Sequence, residues 1–91
     1  MAPPNRIEIT LLTREDCGYC EDAKRLLERL GSEYALSVRT VPLSSAEGQE
    51  LAARGGVMFP PGLFLDGEPF SYGRPSERKL RKALARRAQR T

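Results

Sequence analysis

The feature that most constrains this chain is a pair of cysteines, Cys17 and Cys20, placed between a strand-like segment and a helix-like segment. Residues 6–12 alternate apolar and polar side chains, with Ile7, Ile9 and Leu11 on one face, and period two is typical of a strand. From Cys17 onward, apolar residues recur every three or four positions, which predicts an amphipathic helix. The spacing therefore predicts that both thiols lie near the start of that helix.

The segments around and after this helix have equally plain boundaries. We expect Asp16 to be the N-cap of the first helix and Gly31 to end it. Residues 35–43 alternate like a second strand, which Pro42 ends. Ser44 or Ser45 is then expected to cap a short helix through residue 53 that Gly55–Gly56 closes. We expect this helix to be weak, since its interior Gly48 costs about 1 kcal/mol relative to alanine.

The last third of the chain predicts a hairpin and a final helix. Leu63–Leu65 is wholly apolar, and the Asp66–Gly67 pair after it is a strong hairpin motif. Pro69–Tyr72 is the predicted return strand, and Ser76 is the predicted cap of a helix over about residues 76–90. The predicted order is βαβαββα. Because a crossover helix joins parallel strands and a hairpin adds an antiparallel pair, we expect an α/β fold with a four-stranded mixed sheet and three helices.

Length and composition limit the classes of protein. The 91 residues suit one domain over residues 1–91. The chain has no histidine, which excludes Ser-His-Asp and Cys-His catalytic pairs and histidine metal ligands. Neither an export signal nor a membrane-spanning run is evident, so we expect a cytoplasmic protein without a membrane partner. In that compartment a Cys-x-x-Cys pair is typical of redox or metal chemistry rather than of a structural disulfide.

The spacing of the two thiols points to reversible disulfide chemistry. Near the N-terminus of a helix, the partial positive charge of the helix dipole favours a thiolate at Cys17. We expect Cys17 to be the more exposed sulfur and the nucleophile, and Cys20, one turn further, to be the resolving thiol. Two ordinary helical thiols, or a metal site shared between two chains, are the alternatives, although a structural zinc usually needs four ligands.

The Cys17–Cys20 motif, with Thr13–Arg14 before it and residues 23–27 after it, resembles the active site of glutaredoxins in the thioredoxin superfamily. Pro60–Pro61 before the apolar strand and Tyr72–Gly73 before the last helix are also similar to that family, and the resemblance runs from about residue 7 to residue 85. It implies a single thioredoxin-fold domain, a cis-proline at Pro61, and a groove in which Pro60 and Pro61 contact the substrate. Tyr19 is either an aromatic rim for that substrate or merely an exposed ring.

Arg14 matches a basic residue that many glutaredoxins carry ahead of the motif. The resemblance implies that it stabilises the Cys17 thiolate or holds a carboxylate of a thiol cofactor, while a solvated arginine is the alternative. Four carboxylates also flank the cysteines and oppose a thiolate: Glu15, Asp16, Glu21 and Asp22.

Three positions depart from the family pattern. In these families the residue before the cis-proline offers both its N–H and its C=O to the substrate, and Pro60 has no N–H. Leu11 stands where thioredoxins carry a buried acid. The Gly-Gly-x-x-Asp motif of glutathione-binding glutaredoxins is reduced to Gly73. One substrate hydrogen bond is therefore expected to be missing, and ordinary glutathione binding is in question.

The charge is concentrated at the C-terminus. Residues 1–73 carry a net charge of −4 and residues 74–91 a net charge of +7, which gives the total of +3. A solvated helix face, an anion-binding or nucleic-acid-binding surface and a site for an acidic protein are the three interpretations of this basic helix. The cations are Arg78, Lys79, Arg81, Lys82, Arg86, Arg87 and Arg90. Because aromatic residues are absent among them and Gln89 is the only polar side chain there that could contact a base, we do not expect a nucleic-acid partner.

Taken together, these features predict a thiol–disulfide oxidoreductase of glutaredoxin type that acts as a monomer without a bound cofactor. Its partners are expected to be protein or small-molecule disulfides, with a reductase or a low-molecular-weight thiol as electron donor. A non-catalytic binding or redox-sensing module on the same fold is a second hypothesis, motivated by Pro60 and by the acidic residues around the thiols. An iron–sulfur carrier bridged between two chains is a third.

Overall fold

The computed structural model describes residues 6–89, which form four strands and three helices. In chain order they are β1 (Ile7–Thr13), α1 (Gly18–Leu30), β2 (Leu36–Pro42), α2 (Ala46–Gly55), β3 (Gly62–Leu65), β4 (Glu68–Tyr72) and α3 (Glu77–Ala88). This order confirms the predicted βαβαββα arrangement. The predictions that concern the first five residues and Arg90 lie outside the described residues, and α3 ends at Ala88 with Gln89 as its C-cap.

The strands form one mixed sheet in the order β2-β1-β3-β4. β1 runs parallel to β2, as the crossover through α1 requires, and antiparallel to β3, which pairs antiparallel with β4. One row of partners crosses all four strands, and it consists of Val41, Leu12, Gly62 and Tyr72. The chain segments that follow β1, β2 and β4 and precede β3 therefore meet at one end of the sheet.

Both faces of the sheet are covered, because the strand residues alternate between two apolar clusters. On one face, β1 and β3 pack against α1 and α3, with Ile9, Leu11 and Leu63 among the buried strand residues. On the other face, Leu12 and Phe64 pack with Val41 and with partly buried residues of α2 and its flanking loops. Neighbouring residues of β1, Leu11 and Leu12, thus belong to opposite layers, which is what a strand buried on both faces requires.

The prediction that Asp16 caps α1 is wrong. Cys17 is the N-cap, with extended backbone at φ −118° and ψ 107°, and its side chain accepts a hydrogen bond from the backbone N–H of Cys20. Asp16 instead has a φ of 53°, in the left-handed region that aspartate enters more readily than most residues. An N-cap residue needs extended backbone, which Asp16 does not have, so the next residue, Cys17, is the N-cap. Gly31 ends the helix as predicted.

Gly48 has a packing role in α2 that its helix propensity does not indicate. A Cβ atom at this position would overlap the carbonyl oxygen of Pro42 and lie 3.0 Å from the backbone of Leu43. The glycine therefore lets α2 start close against the end of β2. Ser45 caps the helix, and Gly56 ends it in the left-handed conformation at φ 65°, as the sequence predicted for this glycine pair.

None of the helices within residues 6–89 has the length and apolar character needed to cross a membrane.

Candidate dithiol active site

The two cysteines lie at the end of the sheet marked by the row through Leu12 and Gly62. β1 ends at Thr13, a three-residue turn follows, and Cys17 begins the helix. Pro61 immediately precedes Gly62, which pairs with Leu12 in β1. The sheet topology thus brings the Cys17–Cys20 motif and the proline pair, about forty residues apart in the chain, to the same edge of the molecule.

Cys17 combines an accessible sulfur with a helix N-terminus. Its side chain is partly exposed, and its Sγ accepts a hydrogen bond of 3.2 Å from the backbone N–H of Cys20. The carbonyl of Cys17 accepts from the N–H of Glu21 at 3.2 Å, which closes the first turn of the helix. The sulfur therefore occupies the place of a capping oxygen, where free N–H groups and the helix dipole stabilise negative charge.

Cys20 is buried, with only 1% of its surface exposed. Burial raises the pKa of the Cys20 thiol from 9.0 to about 11, and its hydrogen bond with Cys17 acts in the same direction. A backbone hydrogen bond from Arg14 acts in the opposite direction. Both cysteines are free thiols in this structure. The pair therefore consists of one accessible sulfur and one that is held neutral next to it.

The charges around the pair are partly neutralised within α1 itself. Glu21 lies 3.3 Å from the ammonium group of Lys24, and Asp22 lies 3.6 Å from the guanidinium of Arg25, each at i,i+3 spacing. All four of these side chains are at least 40% exposed, so each pair contributes little to stability. Two of the four carboxylates that flank the motif in sequence therefore have a cation beside them.

The proline pair is buried and joined to the end of β4. The peptide bond between Pro60 and Pro61 is cis. Pro61 is among the most deeply buried side chains, and its carbonyl oxygen accepts a hydrogen bond of 2.8 Å from the N–H of Gly73. Pro60 is also buried and has no N–H, so its only backbone group for hydrogen bonding is the carbonyl.

An exposed apolar surface lies beside the prolines, and the sequence analysis did not identify most of it. Phe59 is 52% exposed and meets the ring of Tyr72 edge to face, with ring centroids 5.2 Å apart. A Cβ atom at Gly73, which has a φ of 79°, would lie 2.6 Å from the Phe59 ring. Glycine at this position therefore leaves room for the aromatic pair. Two apolar residues directly before a double proline in a loop were the available sequence signal.

Met58 extends this surface, being 77% exposed, and Tyr19 in the first turn of α1 is 46% exposed. Large apolar side chains at the surface are costly in water and, when grouped, mark sites of interaction. Tyr19 was predicted to line a substrate groove, and the structure places it in the motif with its ring accessible.

Arg14 lies on the other side of the motif. Its exposed side chain lines an open concavity of about 920 Å³ between the turn after β1 and the loop after β2, together with Asp16, Lys24 and Gln49. Its backbone N–H and its charge both lower the pKa of Cys20, against the larger effect of burial. The candidate residues from the sequence thus divide into a thiol pair, a proline-side surface and a charged concavity.

Within residues 6–89 no group of three or more Cys, Asp or Glu side chains is arranged to hold a metal ion.

Comparison with known proteins places the chain in a family. The glutaredoxin family model matches residues 9–70, more than half of the chain, from the third residue of β1 into β4. The chain belongs to the glutaredoxin family. The match includes the Cys17–Cys20 motif and the proline pair, two of the three features that carried the sequence resemblance, while the third, Tyr72–Gly73, lies beyond it.

Two proteins with similar sequences are described as a thioredoxin and a probable thioredoxin. A thioredoxin of Methanocaldococcus jannaschii is 26% identical over 83 residues, covering 91% of this chain and 98% of the relative. A protein described as a probable thioredoxin from Archaeoglobus fulgidus is 24% identical over 78 residues, or 86% of each chain. These similarities join this glutaredoxin-family chain to the wider thioredoxin superfamily, as predicted.

Solved structures show the thioredoxin fold. A thioredoxin variant from Halobacterium salinarum superposes with a TM-score of 0.70 at 24% identity, over 93% of this chain and 77% of the other. A thioredoxin of Fasciola hepatica superposes with a TM-score of 0.65 at 23% identity, over 91% and 82%. Family and fold together support a thiol–disulfide redox role for this protein. The glutaredoxin-type mechanism predicted from the sequence is more specific than that role.

Proposed function

We propose that this protein is a thiol–disulfide oxidoreductase that reduces disulfides through Cys17 and Cys20. The observation that carries the proposal is the asymmetry of the pair: a partly exposed Cys17 sulfur at a helix N-terminus, hydrogen-bonded to the backbone of a buried, neutral Cys20. Disulfide exchange needs one thiolate that reaches the substrate and a second thiol that attacks only afterwards.

The reaction proceeds in two exchanges. The Cys17 thiolate attacks one sulfur of the substrate disulfide, and the other sulfur leaves as a thiolate that takes up a proton. Cys20 then loses its proton and attacks the Cys17 sulfur of the mixed disulfide. This second step releases the remaining substrate thiolate, which is protonated in turn, and forms the Cys17–Cys20 disulfide. Two electrons and two protons pass to the substrate in each cycle.

The substrate is proposed to approach along the proline side of the motif. Tyr19 supplies an aromatic rim on α1, and Pro61 shapes the floor of the groove, while Pro60 offers its carbonyl to a substrate N–H. Since Pro60 cannot donate in return, we assign part of the binding energy to apolar contact with Phe59 and Tyr72. This arrangement suits a protein or peptide disulfide with apolar residues near the cysteine.

The Cys17–Cys20 disulfide must be reduced back to the dithiol after each cycle, and we propose that a reductase or a low-molecular-weight thiol does this. Arg14 lines the concavity beside the motif and offers a cation for the carboxylate of a thiol co-substrate, whereas Lys24 in the same concavity is paired with Glu21. We propose that the protein works as a monomer in the cytoplasm, where the surrounding thiol pool keeps dithiols of this kind reduced.

The test is capture of the mixed disulfide. Cys20→Ser is incubated with an oxidised peptide, and intact-mass spectrometry after acid quench is expected to find one peptide attached at Cys17. Cys17→Ser is the matched control and is expected to remain unmodified, because the buried Cys20 does not reach substrate. Absence of adduct on Cys20→Ser, or equal modification of both variants, contradicts the proposal.

A non-catalytic, redox-sensing module is the second candidate, and the missing N–H of Pro60 favours it. Under that hypothesis the two cysteines are themselves oxidised and reduced, but they do not reduce a substrate over many catalytic cycles. Continuous disulfide reduction with an excess of dithiol reductant separates the two: many turnovers per protein favour the oxidoreductase, whereas a single equivalent favours the sensor.

A further inference from the structure

The basic residues of α3 fall into two sets that the sequence does not distinguish. Arg81 pairs with Glu33 and Glu77 at 2.8 and 3.0 Å, and Arg87 pairs with Asp66 and Glu68 at 2.9 Å each. These two arginines fasten α3 to the α1–β2 loop and to the β3–β4 turn. Their charges are therefore used within the molecule.

The second set is exposed and has no carboxylate partner among residues 6–89. It consists of Arg78, Lys79, Lys82 and Arg86, which we call the basic stripe. At 3.6 residues per turn, the four side chains fall within an arc of about 100°, and they extend over about 12 Å of helix. The core-facing residues Leu80 and Leu84 lie on the opposite side, so the stripe points directly away from the sheet.

The stripe is unusual for a face that is merely solvated. Exposed helix faces commonly alternate positive and negative residues at i,i+4, where opposite charges stabilise a helix and like charges destabilise it. Here Arg78, Lys82 and Arg86 follow one another at i,i+4 with one sign, and the only acid of α3, Glu77, faces its inner ion pairs. The fold thus keeps a repulsive arrangement of cations at its surface.

We propose that the basic stripe is a docking surface for an acidic segment of a partner protein. Four cations on one helix face complement a row of carboxylates over the same 12 Å or so. A membrane is a poorer fit, because the apolar residues of α3 are buried in the core and cannot enter a bilayer. Nucleic acid is also a poorer fit, since the stripe contains no aromatic residue to stack on a base, and the amide on the same face, that of Gln89, belongs to the C-cap of α3.

The test uses the full chain and two helical peptides of one composition. In the first peptide, four glutamates occupy a single face at i, i+4, i+7 and i+8, and in the second they are distributed around the helix. Binding is measured by fluorescence anisotropy at 50 and 200 mM salt, and a 20-base-pair duplex DNA serves as a third probe. We expect the one-face peptide to bind at least tenfold more tightly than the scrambled one, and salt to weaken its binding.

Two matched triple variants distinguish an effect of the basic stripe from an effect of the net charge of the protein. The stripe variant carries Lys79→Gln, Lys82→Gln and Arg86→Gln, and the control carries Arg25→Gln, Arg54→Gln and Arg74→Gln, which remove the same charge from exposed sites elsewhere. We expect the stripe variant to lose at least tenfold in affinity for the one-face peptide and the control to change by less than twofold. Far-UV circular dichroism checks folding, and Lys82→Gln alone, expected to lose about threefold, replaces the triple variant if that variant unfolds.

The proposal would be overturned by equal losses in both triple variants, by equal binding of the two peptides, or by tighter binding of the duplex DNA than of the one-face peptide. Failure of the peptide to bind at 50 mM salt would also overturn it. None of these results depends on Cys17, so the outcome is independent of whether the protein proves to be an oxidoreductase.

Discussion

Burial of Cys20 makes the second exchange step strongly dependent on pH. With its pKa raised from 9.0 to about 11, Cys20 is almost wholly protonated at neutral pH. The thiolate fraction at pH 7 is on the order of 10⁻⁴, compared with about 10⁻² for a thiol with its ordinary pKa. In the mixed disulfide the Cys17 thiol no longer raises this pKa, but desolvation, the largest cause, persists. Burial therefore still favours the neutral thiol of Cys20 when release occurs.

The expected result is release that accelerates about tenfold per pH unit, or about 100-fold from pH 7 to pH 9. The assay uses a symmetrical aromatic disulfide whose thiol product is coloured, followed by stopped-flow absorbance under single-turnover conditions. Wild type is expected to release two equivalents of thiol, the first through Cys17 and the second through Cys20. Cys20→Ser is the control and is expected to release only the first equivalent. A second phase that is independent of pH between 7 and 9 would refute this account of Cys20.

The same pKa has a consequence for stability that does not depend on catalysis. A raised pKa means that the folded state holds the proton more tightly than the unfolded state, so the contribution is fully present below pH 9. It is lost as the pH rises from 9 through 11, and two pKa units correspond to about 3 kcal/mol. The comparison is urea unfolding of reduced wild type and Cys20→Ala at pH 8 and pH 11, which cancels the titration of tyrosine and lysine. Parallel changes in the two proteins would contradict the prediction.

Three further predictions concern residues around the site and the fold. Gly48→Ala should lower the free energy of unfolding by about 1–3 kcal/mol, because the new methyl group overlaps the Pro42 carbonyl. The control Gly18→Ala, which has open space around its Cβ, should leave the free energy of unfolding nearly unchanged. Similar urea midpoints for the two variants would contradict this prediction. Arg87→Gln should cost about 1 kcal/mol, because it removes two contacts of 2.9 Å made by a side chain only 15% exposed, while Arg86→Gln should stay within about 0.5 kcal/mol. Phe59→Ala should raise the KM for an aromatic peptide disulfide several-fold and leave that for a small polar disulfide unchanged, with Val38→Ala as an exposed apolar control; an equal effect on both substrates would argue against an apolar contact.

The element order was predictable because each element carries a local pattern. Period-two alternation in β1, the three-and-four spacing in α1 and the Asp66–Gly67 turn each depend on residues close in sequence. The N-cap of α1 was not predicted correctly. Aspartate is a good cap by chemistry, but the left-handed backbone at Asp16 is set by how the turn joins β1 to the helix.

Gly48 is a second case in which propensity misled. In an isolated helix a glycine is a loss of stability, and the sequence therefore indicated a weak α2. In the folded chain the same residue permits close contact between the start of α2 and the end of β2. Contacts of this kind join segments that share no sequence pattern, so they cannot be predicted from the periodicity of apolar residues.

For the candidate site, the Cys17–Cys20 motif and Pro61 were identified as candidates from their residue types and order, and their roles stay predictions. The aromatic pair of Phe59 and Tyr72 was not identified, because its members are thirteen residues apart and meet only where β4 ends beside the prolines. The distinction between paired and unpaired cations on α3 is of the same kind, since the partners of Arg87 are Asp66 in the β3–β4 turn and Glu68 at the start of β4.

The sequence by itself determined the order of strands and helices, the thiol pair at a strand-to-helix junction and the parallel crossover between the first two strands. These follow from backbone geometry, side-chain periodicity and chirality, which act over a few residues. The greater exposure of Cys17 was already expected from its place at the start of α1, whereas only the tertiary structure decided how deeply Cys20 is buried, that it is protonated, and which arginines of α3 are neutralised. Burial and charge pairing depend on atoms brought together from distant parts of the chain, and their energies exist only once the sheet and its two layers have assembled.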